Sequence, residues 1–568
     1  PRLIERLRRE PTDALVGHSL GGLIALEALR AAPELAVARV VCLGSPLRGS
    51  LTARNLATRR WMRPLLGRSA PLLRGGLERW EGAAEVGVVA GDRVGVHLGN
   101  CPQVHIAMLG ILKAGAVYVP INPMFKGHEL RYELLDADVG VLLTQPDLRP
   151  LADEAVTGTS VHTVATTALG DLLDTEPDIT VPFPAGPQPD SDWASILTAP
   201  RAPARTDDPD ALAALNYTGG TTGMPKGCEH TQRHMAYTAA TITVAGGGTI
   251  GDPEPVALNF LPVFWIAGED FGIIGPLLNG QTVVLMTRWD PAVSVQLIER
   301  YGVTQMIATI DNYVEMSGLP DFTGSRLASI RNAFGVSFVL KLDPEFRSRW
   351  RDLTGITLRE ASYGMTETHT GDTFTLGFQD GDRDLLADPV FCGLPVPGTE
   401  ILVVDEQGEP VPIGESGQII VRSPSVMTAY YGRPDATADT LHDGWLQTGD
   451  VGCFDDWGAL HYLARTKEMI KINGMSVFPS EVEALLRLHT GVGAVSVVPR
   501  PDPDRGQVPV AFVVPADPAL TAPDLRAWAK DNMAGYKVPE VILVEQLPMT
   551  ATGKIRKGEL LDRAAAGR

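Results

Sequence analysis

Cysteine is scarce in this chain. Its 568 residues include five, Cys42, Cys101, Cys228, Cys392 and Cys453, none in a C-x-x-C or metal-ligand spacing. That excludes a disulfide-stapled scaffold and a zinc ribbon, and points to free thiols in a reducing, cytoplasmic setting. Long apolar runs are also missing. No stretch approaches the roughly eighteen uninterrupted apolar residues of a membrane-spanning helix. The opening "PRLIERLRRE" has charges but no apolar core behind them, unlike a secretory leader. Lysine is absent from residues 1–80, which hold fourteen Arg and six acids, a net of +8. The whole chain carries −19, so the remainder carries −27. This acidity excludes general nucleic-acid binding, and the step in charge marks a boundary near residue 80.

What is present is ample core material: 44% hydrophobic residues and a mean hydropathy of +0.03. The length suggests about two or three domains. In "DALVGHSLGGLIALEALR", Asp13–Arg30, a short apolar run meets Gly17-His18-Ser19-Leu20-Gly21 and then a helical pattern. Strand, sharp Gly-x-Ser-x-Gly turn and helix form the context of a hydrolase nucleophile elbow. "ARVVCLGSPLRGS" reads as the next strand and loop. Residues 1–80 therefore resemble part of an α/β-hydrolase, with Ser19 as a remnant nucleophile. The alternative, a carrier-protein serine, needs a longer helical lead-in. A hydrolase also needs an acid and a histidine later in the chain, and no hydrolase pattern returns after residue 80; His97 and His105 fall inside another strand–helix pattern.

From "GDRVGVHLGNCPQVHIAMLGILKAGAVYVPI" onward, strands alternate with helices, which predicts βαβ units and a largely parallel sheet. Pro- and Asp-rich segments at about 145–210 show weak periodicity and read as long surface loops. The most specific stretch is "YTGGTTGMPKG", Tyr217–Gly227. Thr218, Gly219, Gly220, Thr221, Thr222 and Gly223 offer backbone N–H groups and hydroxyls to phosphate oxygens, and Lys226 adds positive charge. It is not a Walker A loop, because Gly-x4-Gly-Lys-[Ser/Thr] is absent.

This loop resembles the phosphate loop of the adenylate-forming superfamily: acyl- and aryl-CoA synthetases, luciferases and peptide-synthetase adenylation domains. Four further motifs follow in the family's order: "YGMTET" (Tyr363–Thr368), "GWLQTGD" (Gly444–Asp450), "ARTKEMIKINGMSVFPSEVE" (Ala464–Glu483) and "LPMTATGKIRK" (Leu547–Lys557). The resemblance covers residues 85–568. It implies an α/β fold with a large multi-subdomain adenylate-forming domain, residues 81–464, and a small mobile α+β C-terminal domain, residues 465–568. Residues 1–80 form the partial hydrolase-like segment.

The resemblance also implies site roles. Lys554 is the catalytic lysine, placed between the α-phosphate and the carboxylate during adenylation. Glu367 holds Mg²⁺, and Thr366 bonds a phosphate oxygen. Tyr363 stacks on adenine, with Gly364 and Met365 beside it. Asp450 accepts from the ribose hydroxyls and Arg465 donates to the ribose. Lys467 is the hinge about which the small domain rotates for thioester formation. Lys471 then contacts the acyl-adenylate, and Gly474 lets the pantetheine of CoA pass close to backbone. Phe264, Trp265 and Gly335 are expected to line an apolar acyl pocket. "LPVFWIAGED" departs from the family's Pro-x-Phe-His, because Trp265 replaces the histidine, so any gating by that ring is in doubt. Family members also carry an early helix and strand ahead of the "GDRV" stretch, where this chain has its hydrolase-like segment.

The reading is an ATP-dependent carboxylic acid–CoA ligase acting on fatty acids, with ATP, Mg²⁺ and CoA as cofactor or co-substrates. Its rivals are an enzyme that loads a carrier protein and a serine hydrolase or thioesterase using Ser19. The expected partners are small molecules and not nucleic acid. A homodimer and peripheral attachment at a membrane are compatible with the reading.

Overall fold

The computed structural model describes residues 14–18, 39–43, 91–173, 188, 190–198, 208–218, 224–337, 340–369, 371–386, 390–466, 468–472, 475–503, 505–550 and 554–566. Ala14–His18 and Arg39–Leu43 pair in parallel, with Leu15 opposite Val40. Both strands fall where the apolar runs predict them. Ser19 and the helix expected behind it lie outside the described residues.

The βαβ pattern begins with strand Arg93–His97, helix Pro102–Ala114 and strand Val117–Pro120. Proline fits the helix's first turn, where its missing N–H costs no bond. The helix ends at Gly115, whose φ of +71° closes it through a left-handed cap. Val104, Met108 and Ile111 recur at helical spacing on its buried face. The strands belong to a six-stranded sheet ordered Thr163–Thr166, Val141–Thr144, Arg93–His97, Val117–Pro120, Leu212–Tyr217 and Gly227–Thr231, all parallel except the last pairing. The span expected to include long surface loops also holds regular elements. It contains helix Arg149–Ala155, strand Thr163–Thr166 and helix Trp193–Thr198, with Trp193 and Ile196 buried in the core. Elements this short give too few turns for a periodicity to show.

A second sheet is entirely parallel: Thr282–Leu285, Val256–Asn259, Gln305–Thr309, Asn332–Val336 and Leu358–Glu360. Helices Pro291–Tyr301, Ile310–Ser317 and Pro344–Thr354 lie between its strands. Val295, Met306, Ile310 and Trp350 are among its core. All five strands point the same way, so their carboxyl ends share one edge, where open parallel sheets bind ligands.

A mostly antiparallel sheet follows, in which Trp445–Phe454 pairs with Leu460–Arg465 and sets Asp450 opposite Arg465. Beyond it lies a smaller α+β unit. Its strands are Ile470–Ile472, Met475–Val477, Val492–Asp502, Gly506–Pro515 and Glu540–Leu543, and its helices are Pro479–Arg487, Ala522–Asn532 and Lys557–Ala565. The large α/β body with a smaller α+β domain is the architecture the motif order implies. Among the described residues no helix is long and apolar enough to cross a membrane.

One side chain ties the first sheet to the segment carrying Trp265. Asn100, 4% exposed, donates to the Leu261 carbonyl at 3.0 Å and the Met286 carbonyl at 3.1 Å. It also accepts from the Val263 N–H at 3.0 Å. Removing the amide strands three buried polar groups. Asn100→Ala is therefore expected to lower stability by about 3 kcal/mol, measured by urea denaturation.

Candidate active site

The loop after strand Leu212–Tyr217 is pinned at its base. Thr218 N–H donates to the Lys226 carbonyl at 3.0 Å, and Lys226 N–H donates to Thr218 Oγ1 at 3.1 Å. These reciprocal bonds bring the ends of the Gly/Thr loop together. Gly219, Gly220, Thr221, Thr222 and Gly223 lie outside the described residues. The Lys226 ammonium sits 3.7 Å from the centroid of the Tyr430 ring, a cation–π contact that aims the charge. Tyr430 in turn donates to Glu367 Oε1 at 2.8 Å. Loop lysine and "YGMTET" carboxylate are thus coupled through one aromatic residue that the sequence reading did not identify.

Tyr363–Thr368 crosses the carboxyl edge of the parallel sheet just after strand Leu358–Glu360. Tyr363 donates to Asp450 Oδ2 at 2.7 Å. Arg465 Nε lies 3.3 Å from Asp450 Oδ1. Asp450 is 3% exposed, and burial raises its pKa against the opposing pull of Arg465 and Tyr363. Tyr363, Asp450 and Arg465 therefore form one connected set. A carboxylate held this way is a natural acceptor for a vicinal diol. Glu367 Oε1 is engaged by Tyr430, leaving Oε2 as the oxygen suited to Mg²⁺, which takes one or two carboxylates plus phosphates.

Behind Thr366 lies a buried polar cluster. His230 Nε2 donates to the Thr366 carbonyl at 2.8 Å, and the His230 and His369 rings meet edge to face at 4.7 Å. His369 Nδ1 is 3.1 Å from Asp270, and Asn216 donates to Glu269 at 2.9 Å. Burial pushes the Glu269 carboxyl up to about 7. For His369, burial alone would lower the pKa, but Asp270 and Glu269 carry it above the ordinary value. The Asp270–Ile274 turn is π-helical, a distortion frequent at functional sites. The sequence reading missed these residues. The available signal was two adjacent carboxylates in the otherwise apolar segment "LPVFWIAGEDFGII".

Lys554 arrives from the small domain on a tight turn. Thr550 N–H donates to its carbonyl at 2.7 Å, and Lys554 N–H donates to Thr550 Oγ1 at 3.0 Å. Its ammonium lies over the Trp265 ring, 5.6 Å from the centroid. Burial lowers its pKa and Arg465 adds to that, while Glu367 and Asp450 oppose. Lys554, Trp265, Gly364, Met365 and Thr366 line one cavity of about 520 Å³, with Ile242, Phe271, Phe334 and Val336 along its apolar wall.

Other expected site residues sit elsewhere. Phe264 is half-buried beside Trp265 but does not line the cavity. Gly335 lies between two lining residues, Phe334 and Val336; a Cβ there would meet the Ile310 Cδ1 methyl at 2.4 Å and force that side chain to shift. Lys471 is exposed on strand Ile470–Ile472, where its N–H donates to Gln507 at 2.7 Å, and is not part of the cavity wall. Lys467 and Gly474 lie outside the described residues.

Residues 83–431 match the family model described as AMP-binding enzyme, and residues 481–554 match its C-terminal domain. A long-chain-fatty-acid–CoA ligase of Salmonella typhimurium is 32% identical over 84% of this chain and 86% of its own length. A feruloyl-CoA synthase of an Amycolatopsis species is 33% identical over 85% of this chain and 91% of its own. Among solved structures, ATP-bound MatB from Rhodopseudomonas palustris superposes with a TM-score of 0.72 at 26% identity, over 84% of this chain and 89% of that one.

The "YGMTET" turn rests on one more buried acid. Asp372 accepts from Thr368 Oγ1, and its N–H donates to the Tyr363 carbonyl at 3.0 Å. Burial raises its carboxyl from 3.8 to about 7. Between those values the unfolded chain has lost the proton that the folded chain keeps. Unfolding then releases a proton, so stability falls as pH rises from about 4 to about 7. Asp372→Asn should make that fall shallower by up to about 1.4 kcal/mol per pH unit, read from denaturation midpoints across the window.

Proposed function

The chain belongs to the AMP-binding enzyme family, and we propose that this AMP-forming acid–CoA ligase activates fatty acids. The observation that carries the reading is the single cavity that joins an apolar wall to Gly364–Thr366 and Lys554. A carboxylate in that cavity meets the α-phosphate of ATP held by the Thr218–Lys226 loop. Two anions must approach, so the site has to neutralise charge where it develops. Lys554 supplies that charge from the cavity lining, and Lys226 and Thr366 serve the phosphates. Glu367 would hold Mg²⁺, which would supply further charge neutralisation at the phosphates. Asp450 and Arg465 fix the ribose and Tyr363 the adenine.

The acyl-adenylate forms as pyrophosphate leaves. In the second step the CoA thiol attacks the acyl carbonyl and AMP leaves. Rotation about Lys467 withdraws Lys554 and brings the Lys471–Gly474 segment to the cavity, with Gly474 giving the pantetheine room. The exposed position of Lys471, away from the cavity while Lys554 is in it, supports two alternative arrangements of the small domain. The fatty-acid assignment draws on the apolar wall and on the Salmonella relative's name. The feruloyl-CoA synthase keeps an aryl acid as the second reading.

The test is carboxylate-dependent pyrophosphate release over a panel of fatty and aryl acids, followed by CoA-dependent AMP release. Fatty acids should lead the panel, and pyrophosphate release without CoA-dependent AMP release would favour a carrier-protein acceptor. Lys554→Ala should slow adenylation by about 10²–10³-fold while leaving thioester formation from supplied acyl-adenylate far less affected. Equal loss in both half-reactions would overturn the rotation scheme.

A further inference from the structure

The cavity does not close at its apolar wall. Its lining follows the strands of the parallel sheet. Val336 and Glu360 stand near the carboxyl edge, beside the "YGMTET" turn; Phe334 and its register partner Ile307 stand midway; Asn332 and Gln305 stand at the amino edge. From Val336 to Asn332 is four strand residues, about 13 Å. At the amino edge the wall turns polar. Gln281, Gln305 and Asn332 line it half-buried, with Asp252, Glu254 and Arg331 at the rim.

The hydrogen bonds at that end select what can be met there. Gln305 Nε2 donates to Gln281 Oε1 at 3.0 Å, which leaves Gln305 Oε1 as an acceptor. Asn332 Oδ1 accepts from Arg359 at 2.7 Å, which leaves the Asn332 amide N–H groups as donors. Gln305 and Asn332 are register partners on neighbouring parallel strands, so their side chains share a face about 5 Å apart. Donor and acceptor together suit a hydroxyl, which can both give and take a hydrogen bond. Arg359 is 8% exposed and stacks 4.5 Å over the Phe334 ring, with no carboxylate beside it. At the rim itself Arg331 stands with Asp252 and Glu254, one cation to two carboxylates, so the mouth does not favour a negatively charged end.

We propose that this channel selects carboxylic acids of medium length whose far end carries an uncharged hydroxyl, seated between Gln305 and Asn332. The inference rests on reading the cavity as the acid site. An extended chain advances about 1.2 Å per bond, so about eleven carbons span the channel from the reacting carboxyl. Each methylene inside it leaves water, worth about fourfold in affinity. A methylene beyond the mouth stays in water and adds nothing. A hydroxyl on a short acid is stranded against the apolar wall; on an acid of full length it reaches its partners.

The experiment compares kcat/KM for pyrophosphate release across unsubstituted, ω-hydroxy and ω-carboxy acids of about six to about sixteen carbons. Unsubstituted acids should gain about fourfold per methylene and level off near undecanoate. The ω-hydroxyl should cost about tenfold or more at hexanoate and raise the rate severalfold at undecanoate, while the ω-carboxyl should not. Gln305→Leu should remove that inversion, read as the ω-hydroxy to ω-methyl ratio within one enzyme preparation. A gain that continues to hexadecanoate, or a hydroxyl that costs equally at both lengths, overturns the channel inference. Absence of pyrophosphate release with every acid overturns the reading of the site itself.

Discussion

Everything in this molecule's site turns on bringing one lysine of the small domain up to two carboxylates of the large one, Glu367 and Asp450. The Lys554 side chain is exposed, yet the protein atoms packed around its ammonium, and the nearby Arg465, lower its pKa. What holds the charge there is the pair of carboxylates that face it, Glu367 from the sheet edge and Asp450 from the antiparallel sheet. Neither carboxylate is left to itself. Tyr430 donates to Glu367, and Tyr363 donates to Asp450 while Arg465 flanks its other oxygen. The same residues that would hold the nucleotide therefore make the place into which the lysine can close. Lysine and nucleotide groups are on different domains, so the charge is complete only when the domains meet.

The scaffold reflects that requirement. Parallel strands converge on one edge, and the turn Thr366–Thr368 is held from behind by polar groups that could have been apolar. His230, His369, Glu269 and Asp270 are all fully buried. Such a cluster gives less stability than a packed apolar core would, but it fixes the Thr366 carbonyl through a 2.8 Å bond. If Thr366 serves a phosphate as proposed, rigidity behind its turn is worth that cost, because misplacing a reacting group by about an ångström can cost a hundredfold in rate.

Much of this was legible in the sequence and some was not. The βαβ strands, the two-domain order and the positions of Tyr363, Asp450, Arg465 and Lys554 follow from local patterns and from ordered motifs. What escaped was contact between residues far apart in the chain. Tyr430 touches Lys226 and Glu367 across about two hundred and about sixty positions of chain, a separation over which no periodicity carries information. The buried cluster escaped for the same reason, since His230, Glu269 and His369 come from three separate elements. The short helices within 149–198 were missed because one or two buried residues each, such as Trp193 and Ile196, cannot establish a period. Phe264 and Trp265 show the limit of reading neighbours alike: adjacent in sequence, only Trp265 turns to the cavity.

Trp265 is also where acid recognition and chemistry touch. Its ring walls the cavity, and the Lys554 ammonium lies over that ring. Where the related segment usually has histidine, a titratable ring, this chain presents an indole, the aromatic face most favourable to a cation. A substrate tail lying along the wall and a lysine lying over the ring therefore act on a single side chain. By linkage, an acid that holds the indole in the orientation Lys554 needs favours the closed domain arrangement, and closure favours that acid by the same factor. An acid that fits the channel but displaces the ring gains nothing from closure, however well it binds. Under the proposed reading, discrimination at the reacting end would then depend on the geometry of this ring as well as on the width of the channel.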